Sequence, residues 1–225
     1  MEHGLSRKQL EELYLPPDDE FVIVDVPKMK FLMIDGEGNP EGEAFSRALQ
    51  WLFSVLYPIK RIAKERMGRH YVEPPLEGLW WADDIADFVA GKRDKLKWRM
   101  MIPAAPDWVS ADLFANAVAQ AAERLGEPPR SLRLDTYEEG RSVQIMHVGP
   151  AVEQCETMTR LHQEYLPAHN LVCNGPHHEI YLTDPRRVAP EKQRTVLRQP
   201  VRSVSCGEQA HRSHHRRQGR GGHQR

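Results

Sequence analysis

Two hydrophobic spacings alternate along this chain: period two, which marks strands, and a period near 3.6, which marks helices. Residues 95–102 show the first most cleanly. Leu96, Trp98, Met100 and Ile102 point one way, Lys97 and Arg99 the other. Residues 177–183 repeat it and stop at Asp184-Pro185, since proline cannot donate a ladder hydrogen bond and restricts the residue before it. Residues 21–24, 30–34, 76–82, 131–137, 142–148 and 194–201 read as further strands. The turn-rich Asp35-Gly36-Glu37-Gly38-Asn39-Pro40 is expected to end the strand at 30–34. Glu138-Glu139-Gly140-Arg141 predicts a hairpin between 131–137 and 142–148.

Helical spacing predicts a short helix over 6–13, closed by Pro16-Pro17. A long one starts near Glu43 with Phe45, Leu49, Leu52, Leu56, Ile59 and Ala63 in its stripe, and Gly68 closes it. Pro58 falls inside and predicts a kink or a split. A short helix is expected over 83–89. Ser110 is a natural N-cap for a helix carrying Leu113, Phe114, Ala117, Val118, Ala121 and Leu125, stopped by Gly126 and Pro128. Gly149-Pro150 opens a last helix whose stripe is Val152, Cys155, Met158, Leu161 and Tyr165. The halves share one order. Strand 30–34, long helix, strand 76–82 and strand 95–102 parallel strand 142–148, helix, strand 177–183 and strand 194–201. In that alignment Trp80 corresponds to Tyr181 and Gly78 to Glu179, so a glycine opposite the glutamate is expected to leave room beside its carboxylate.

Composition narrows the class. The chain has 225 residues and a formal net charge of −1, long enough to bury a core without disulfide or metal staples. Six arginines and one glutamate in 202–225 leave the rest near −6, a poor electrostatic match for nucleic acid. That stretch, rich in Arg, His, Gly and Gln, reads as disordered; it could touch nucleic acid or pick up metal through His211, His214, His215 and His223, and the plainer reading is a solvated extension. No apolar run nears the roughly 20 residues of a membrane span. The first residues show no basic region followed by an apolar core, which argues against a secretion signal. Cys155, Cys173 and Cys206 are widely spaced and odd in number, the pattern of a reduced, cytoplasmic protein.

The chemistry concentrates in His177-His178-Glu179-Ile180-Tyr181. Alternation puts His178, Ile180 and Leu182 on one face, fit to pack on a core, and His177, Glu179 and Tyr181 on the other. On a cavity wall Glu179 can pair with a cation or orient water as a general base, with burial raising its pKa; away from one it is a solvated carboxylate or an arginine partner. Tyr181 can donate to a ligand carbonyl or is an ordinary strand aromatic. Trp80 and Trp81 point to opposite faces, and the repeat correspondence favours Trp80 for the ligand. Glu77, Trp98, Tyr57 and Tyr137 are further wall candidates, with structural roles as the plainer reading. His177 and His178 point apart and cannot share one ion, and no zinc spacing, phosphate loop or Gly-x-Ser-x-Gly elbow occurs. Cys155 reads as core, and Cys173 as a loop thiol.

Several segments resemble the gyrase-inhibitor-like (GyrI-like) small-molecule-binding family: Met29-Lys30-Phe31-Leu32-Met33-Ile34-Asp35-Gly36, Pro75-Leu76-Glu77-Gly78-Leu79-Trp80-Trp81, Gln144-Ile145-Met146-His147-Val148-Gly149-Pro150, the 177–187 run, and Thr195-Val196-Leu197-Arg198-Gln199-Pro200-Val201. The resemblance covers roughly 5–201 and implies an α+β fold. Its form is a tandem of strand–helix–strand–strand (SHS2) repeats with pseudo-twofold symmetry, antiparallel sheets and helices on one side. The implied organisation is a lead-in at 1–20, a binding domain at 21–201 with halves near 21–105 and 130–201 joined by a helix at 110–125, and the tail. The groove between halves would take hydrophobic, aromatic or cationic compounds, without cofactor or metal. The branch with a paired-Trp motif is similar to hydrolases that open cyclopropane rings of DNA-alkylating natural products in an aromatic cage. That implies Glu179 and Tyr181 as catalytic groups and Trp80, Trp81, Glu77, Trp98, Tyr137 and His177 as ligand contacts. The alternative is a non-enzymatic sensor or sequestering protein, or a modulator of gyrase or transcription. Ala151 stands where many relatives carry an aromatic after Gly-Pro, which alters one part of the expected wall.

Overall fold

The computed structural model describes residues 5–68, 74–104 and 109–205; most of the Arg/His-rich tail, with its histidines and Cys206, lies outside them. Helix α1 (Arg7–Tyr14) starts at a capping box. The Ser6 hydroxyl accepts from the Gln9 N–H, and the Gln9 side chain accepts from the Ser6 N–H. Strands β1 (Val22–Val26) and β2 (Met29–Glu37) follow, then α2 (Glu43–Met67), β3 (Leu76–Trp81), α3 (Ile85–Val89) and β4 (Lys97–Pro103). Helix α4 (Ala111–Leu125) is capped by Ser110, as its sequence predicts. Then come β5 (Arg133–Tyr137), β6 (Gly140–Val148), and α5 (Gln154–Arg160), which passes through a π turn at Leu161–Tyr165 into α6 (Leu166–Ala168). Strands β7 (Leu171–Cys173), β8 (His177–Tyr181) and β9 (Arg194–Ser203) complete the described chain.

Some elements depart from the sequence reading. Helix α2 is not split at Pro58: Val55, Leu56, Ile59 and Ala63, buried on both sides of the proline, hold the two parts on one core. β2 runs on through the glycine expected to turn, because Asp35, Gly36 and Glu37 pair with Arg99, Trp98 and Lys97 of β4. Gly36 is needed there for a different reason. A Cβ on it would sit 2.1 Å from Trp98 Cη2, so the indole lies flat across a bare backbone. Gly36→Ala should therefore cost about 1–3 kcal/mol through forced repacking, read as a lower urea midpoint with an unchanged slope. The last helix turns Val152 and Cys155 outward rather than into the core; the rest of the expected stripe, Leu161 with Met158 and Tyr165, does pack inward, joined by Leu166, against Val143, Leu171 and Val201. Cys173 ends β7, an unpredicted strand too short to show a period.

The fold is mixed α+β, with one large antiparallel sheet and helices on one side. The strand order is β1-β6-β9-β8-β3-β4-β2-β5, with β7 beside the far end of β9. From the central pair outward, β3-β4-β2 mirrors β8-β9-β6. The expected β5–β6 hairpin does not form: β5 pairs β2, and β6 pairs β1 and β9. The Glu138-Glu139 connection dives inward, burying Glu139, instead of closing a two-stranded turn.

Two connections fix the sheet's shape. Pro27-Lys28 joins β1 to β2, and Glu138-Glu139 joins β5 to β6, yet each pair lies near opposite ends of the strand order. Three Cα steps span about 11 Å at most, so the sheet must curl until its ends meet. The face turned away from α2 and α4 becomes an interior, closed in part by the end of α1, where Tyr14 packs on it. Phe31, Met33, Leu79 and Met101 form one buried cluster there, and Met146, Ile180 and Val196 another. The outer face carries α2 and α4 on Leu32, Ile34, Trp98, Met100 and Ile102.

Candidate functional site

The centre of the sheet is the seam where β3 meets β8. Its register runs Leu76↔Tyr181, Glu77↔Ile180, Gly78↔Glu179, Leu79↔His178 and Trp80↔His177. Period-two alternation then sorts the residues between faces. Trp80, Trp98, His177, Glu179 and Tyr181 belong to the helix-covered side. Glu77, Trp81 and Tyr137 belong to the interior, where Trp81 and Tyr137 pack on the Phe31–Met101 cluster.

On the helix-covered side three groups form a chain. The Trp80 indole N–H donates to Tyr181 Oη at 3.1 Å, and the Tyr181 hydroxyl donates to Glu179 Oε2 at 2.9 Å. His177 Nε2 stands 3.5 Å from Glu179 Oε1. The glycine opposite Glu179 does leave space, but Trp80 fills it: a Cβ on Gly78 would lie 2.8 Å from the indole nitrogen. Phe45 of α2 stacks on Trp80, with centroids 5.8 Å apart, and meets Trp98 edge-on at 5.0 Å. Trp98 is only 1% exposed and its N–H has no partner among the described residues, so it backs the site rather than facing it.

The electrostatics differ from the simplest expectation. Burial pushes the Glu179 carboxyl up, but contact with His177, the Tyr181 hydroxyl and the charge of His178 outweigh it. The group ends below the ordinary carboxylate value, ionised at neutral pH. Burial and the adjacent carboxylate raise the Tyr181 phenol well above its ordinary value, so it stays a proton donor. The Glu179 side chain is 20% exposed, a carboxylate held in an aromatic setting but reachable. An open apolar groove of about 500 Å³ between α4 and residues 128–132 touches none of these groups.

The sequence pattern left three features unread. Tyr57, named as a wall candidate, follows Phe45, Leu49 and Phe53 at four-residue steps on α2, a ridge the pattern did not single out. The first three are half-buried and pack on the cluster that holds Trp80 and Tyr181, with Phe45 stacked on Trp80, and Tyr57 is 62% exposed. Within a broad helical stripe its members look like ordinary core. The second is His162, on the π turn, with Nδ1 3.6 Å from Cys173 Sγ. The third lies inside the curled sheet. His178, expected to face an apolar core, sits between two carboxylates: Nδ1 is 3.0 Å from both Glu139 oxygens, and Nε2 is 3.0 Å from Glu77 Oε2. The Nε2 contact lacks good hydrogen-bond alignment and is best described as an ion pair. Arg198 donates to Glu139 at 3.1 Å, to Gln144 at 2.9 Å and to the Leu13 carbonyl. Tyr14 donates to Glu77 at 2.9 Å. Glu77 is thus engaged in the interior, away from Glu179. Among the described residues no group of His, Cys, Asp and Glu is arranged to hold a metal ion, and no helix is long and apolar enough to cross a membrane.

Comparison with known proteins places this geometry. A family model described as the GyrI-like small molecule binding domain matches residues 19–202. An uncharacterized conserved protein from Listeria innocua, solved by crystallography, is similar at 36% identity, over 87% of this chain and 98% of its own, with a TM-score of 0.73. A hydrolase from Listeria innocua is similar at 35% identity over 88% of this chain and 100% of its own, with a TM-score of 0.70. EcmrR in its DNA complex shares only the fold, at 12% identity and a TM-score of 0.50, over 82% of this chain and 58% of that one. No curated protein matches the chain.

Proposed function

The chain belongs to the GyrI-like small molecule binding domain family, and from that premise we propose that it binds hydrophobic, aromatic or cationic xenobiotics over the β3–β8 seam and hydrolyses strained electrophiles among them. The observation that supports this most is the Trp80–Tyr181–Glu179 hydrogen-bond chain beneath the Phe45 ring. It joins flat aromatic surface, a fixed phenol and an ionised carboxylate within one small region. Likeness to a hydrolase over nearly the whole chain adds weight.

For a spirocyclopropyl cyclohexadienone the steps balance as follows. The half-buried Phe45 ring, itself stacked on the buried Trp80, offers the flat surface on which the ring system would stack. Glu179 orients a water molecule, whose oxygen bonds to the strained methylene. The ring C–C bond breaks, and its electron pair passes to the conjugated carbonyl oxygen, which becomes a phenol by taking up one proton. The proton that water loses goes to Glu179. Tyr181 has a single hydroxyl proton, and in the free protein it is given to Glu179. Swinging it to the ligand carbonyl would polarise that carbonyl and free the carboxylate for water together. Because strain supplies the driving force, positioning and modest acid–base help suffice, which fits a carboxylate of lowered rather than raised pKa.

The second reading is a non-enzymatic sensor or sequestering protein in which Glu179 is only a counter-charge, supported by its ionised state beside the Tyr181 ring, which in turn meets Trp80. Incubating the purified protein with a spirocyclopropyl cyclohexadienone separates the two. Saturable release of the ring-opened alcohol above background supports hydrolysis. Tight binding with background-level opening leaves sequestration.

A further inference from the structure

The indoles of Trp51, Trp80 and Trp98 share one buried core. Those of Trp51 and Trp98 have N–H groups without a partner among the described residues, whereas the Trp80 N–H donates to Tyr181 Oη at 3.1 Å. Trp80 is buried, so its ring is screened from a ligand by Phe45, which stacks on it. The place of its nitrogen depends on Gly78, the residue opposite Glu179: a Cβ there would stand 2.8 Å from Nε1. A bare backbone position thus lets the indole edge lie against the β3–β8 seam and meet the phenol.

An indole N–H donates and cannot accept, and an ionised carboxylate accepts and cannot donate. Tyr181 stands between one of each. Its oxygen takes up the indole hydrogen and must send its own proton elsewhere, which in the free protein is to Glu179 Oε2 at 2.9 Å. Donation into Oη also polarises the O–H bond, since hydrogen bonds in a chain strengthen one another by about 10–30% each. Burial and Glu179 raise the phenol pKa, and the Trp80 N–H works the other way.

Resting on the hydrolytic reading above, we infer that Trp80 is a positioning residue, whose N–H aims the Tyr181 proton at the ligand carbonyl and strengthens that donation, rather than a ring that touches the ligand. The one-way order of the chain serves both states of the site. Before a ligand arrives the hydroxyl proton rests on Glu179. When the carbonyl takes Glu179's place as acceptor, the indole still holds the far side of Oη, so the hydroxyl reaches the carbonyl as a donor. The charge that gathers on the phenol oxygen as its proton leans towards the carbonyl is met by a hydrogen already in place. Trp80 gains and loses no proton, and the balance of the reaction is unchanged.

The test uses the full chain, the spirocyclopropyl dienone, and an inert gem-dimethyl cyclohexadienone whose carbonyl stretch reports hydrogen bonding. Trp80→Phe keeps an aromatic ring beneath Phe45 and removes the N–H. It should lower kcat about two- to tenfold, the worth of one hydrogen bond, with KM changed less than about twofold. In a Tyr181→Phe background the same substitution should change kcat by no more than about 1.5-fold, because the hydroxyl it serves is gone. With the inert dienone bound, the red shift of the carbonyl band should shrink by about 10–30% in Trp80→Phe and vanish in Tyr181→Phe. An equal loss of kcat in both backgrounds makes Trp80 a packing residue and overturns the inference. So does a wild-type kcat in Trp80→Phe, or a carbonyl band that Tyr181→Phe leaves unmoved. Absence of wild-type turnover overturns hydrolysis, and the carbonyl band then still decides the role of Trp80.

Discussion

Glu179→Gln should reduce turnover of a strained electrophile by about 10²–10³-fold, within the range for removal of a general base, while leaving the affinity for an uncharged ligand within about threefold. The amide oxygen can still accept the Tyr181 hydroxyl, so the 2.9 Å contact and the Trp80 contact behind it should survive. What is lost is the negative charge and the capacity to take a proton. A cationic aromatic ligand distinguishes the roles. Its affinity should fall in the variant because its counter-charge has gone, whereas a neutral ligand of the same shape should hardly notice. Single-turnover kinetics and calorimetric titration with the neutral and cationic pair make the comparison. Turnover within twofold of wild type would remove Glu179 from the chemistry.

The largest stability effect is expected from the interior of the curled sheet. Glu77, Glu139, His178 and Arg198 balance two negative charges with two positive ones, and Arg198 and Gln144 extend the network to the Leu13 and Glu12 carbonyls at the end of α1. Arg198→Met leaves a buried carboxylate short of its partner and should cost about 3–5 kcal/mol, measured by urea unfolding. Removing Glu139 as well, in Glu139→Gln/Arg198→Met, should recover part of that loss, because the stranded charge disappears with its partner.

The same cluster sets a pH window. Burial pushes Glu139 up, but His178 and Arg198 pull it from its ordinary 4.5 down to about 2. Its contribution is therefore present above about pH 4.5 and lost as pH falls towards 2. Burial pushes His178 down, but Glu139 and Glu77 lift it from 6.5 to about 9. Its contribution is complete below about pH 6.5 and lost as pH rises through 9. The two shifts report one attraction from its two ends and do not add. Melting temperature should peak between about pH 4.5 and 6.5, and Glu139→Gln should flatten both slopes. Equal slopes in wild type and variant would remove the cluster from the account.

The division of residues between faces was legible in the sequence, because alternation in 177–182 and the adjacency of Trp80 and Trp81 depend only on strand geometry. The pairing of Gly78 with Glu179 was foreshadowed by the alignment of the halves. The interior cluster was not legible. Its members come from positions 14, 77, 139, 178 and 198, brought together by the curl, and no local pattern records a curl. The hairpin expectation failed for the same reason: Glu138-Glu139-Gly140 has the polarity of a turn, but Glu139 has a distant partner that a turn would deny it. The aromatic ridge of α2 was hidden because a helix stripe broad enough to cover a sheet does not show which edge faces the seam.

The short linkers have a further consequence. The segment β1 leads into the first half but lies on β6 of the second, and β5 leads into the second but lies on β2 of the first. Each half thus lends an arm to the other. A polypeptide holding one half would have an arm with no berth and a berth with no arm, and two copies would complete each other by exchange.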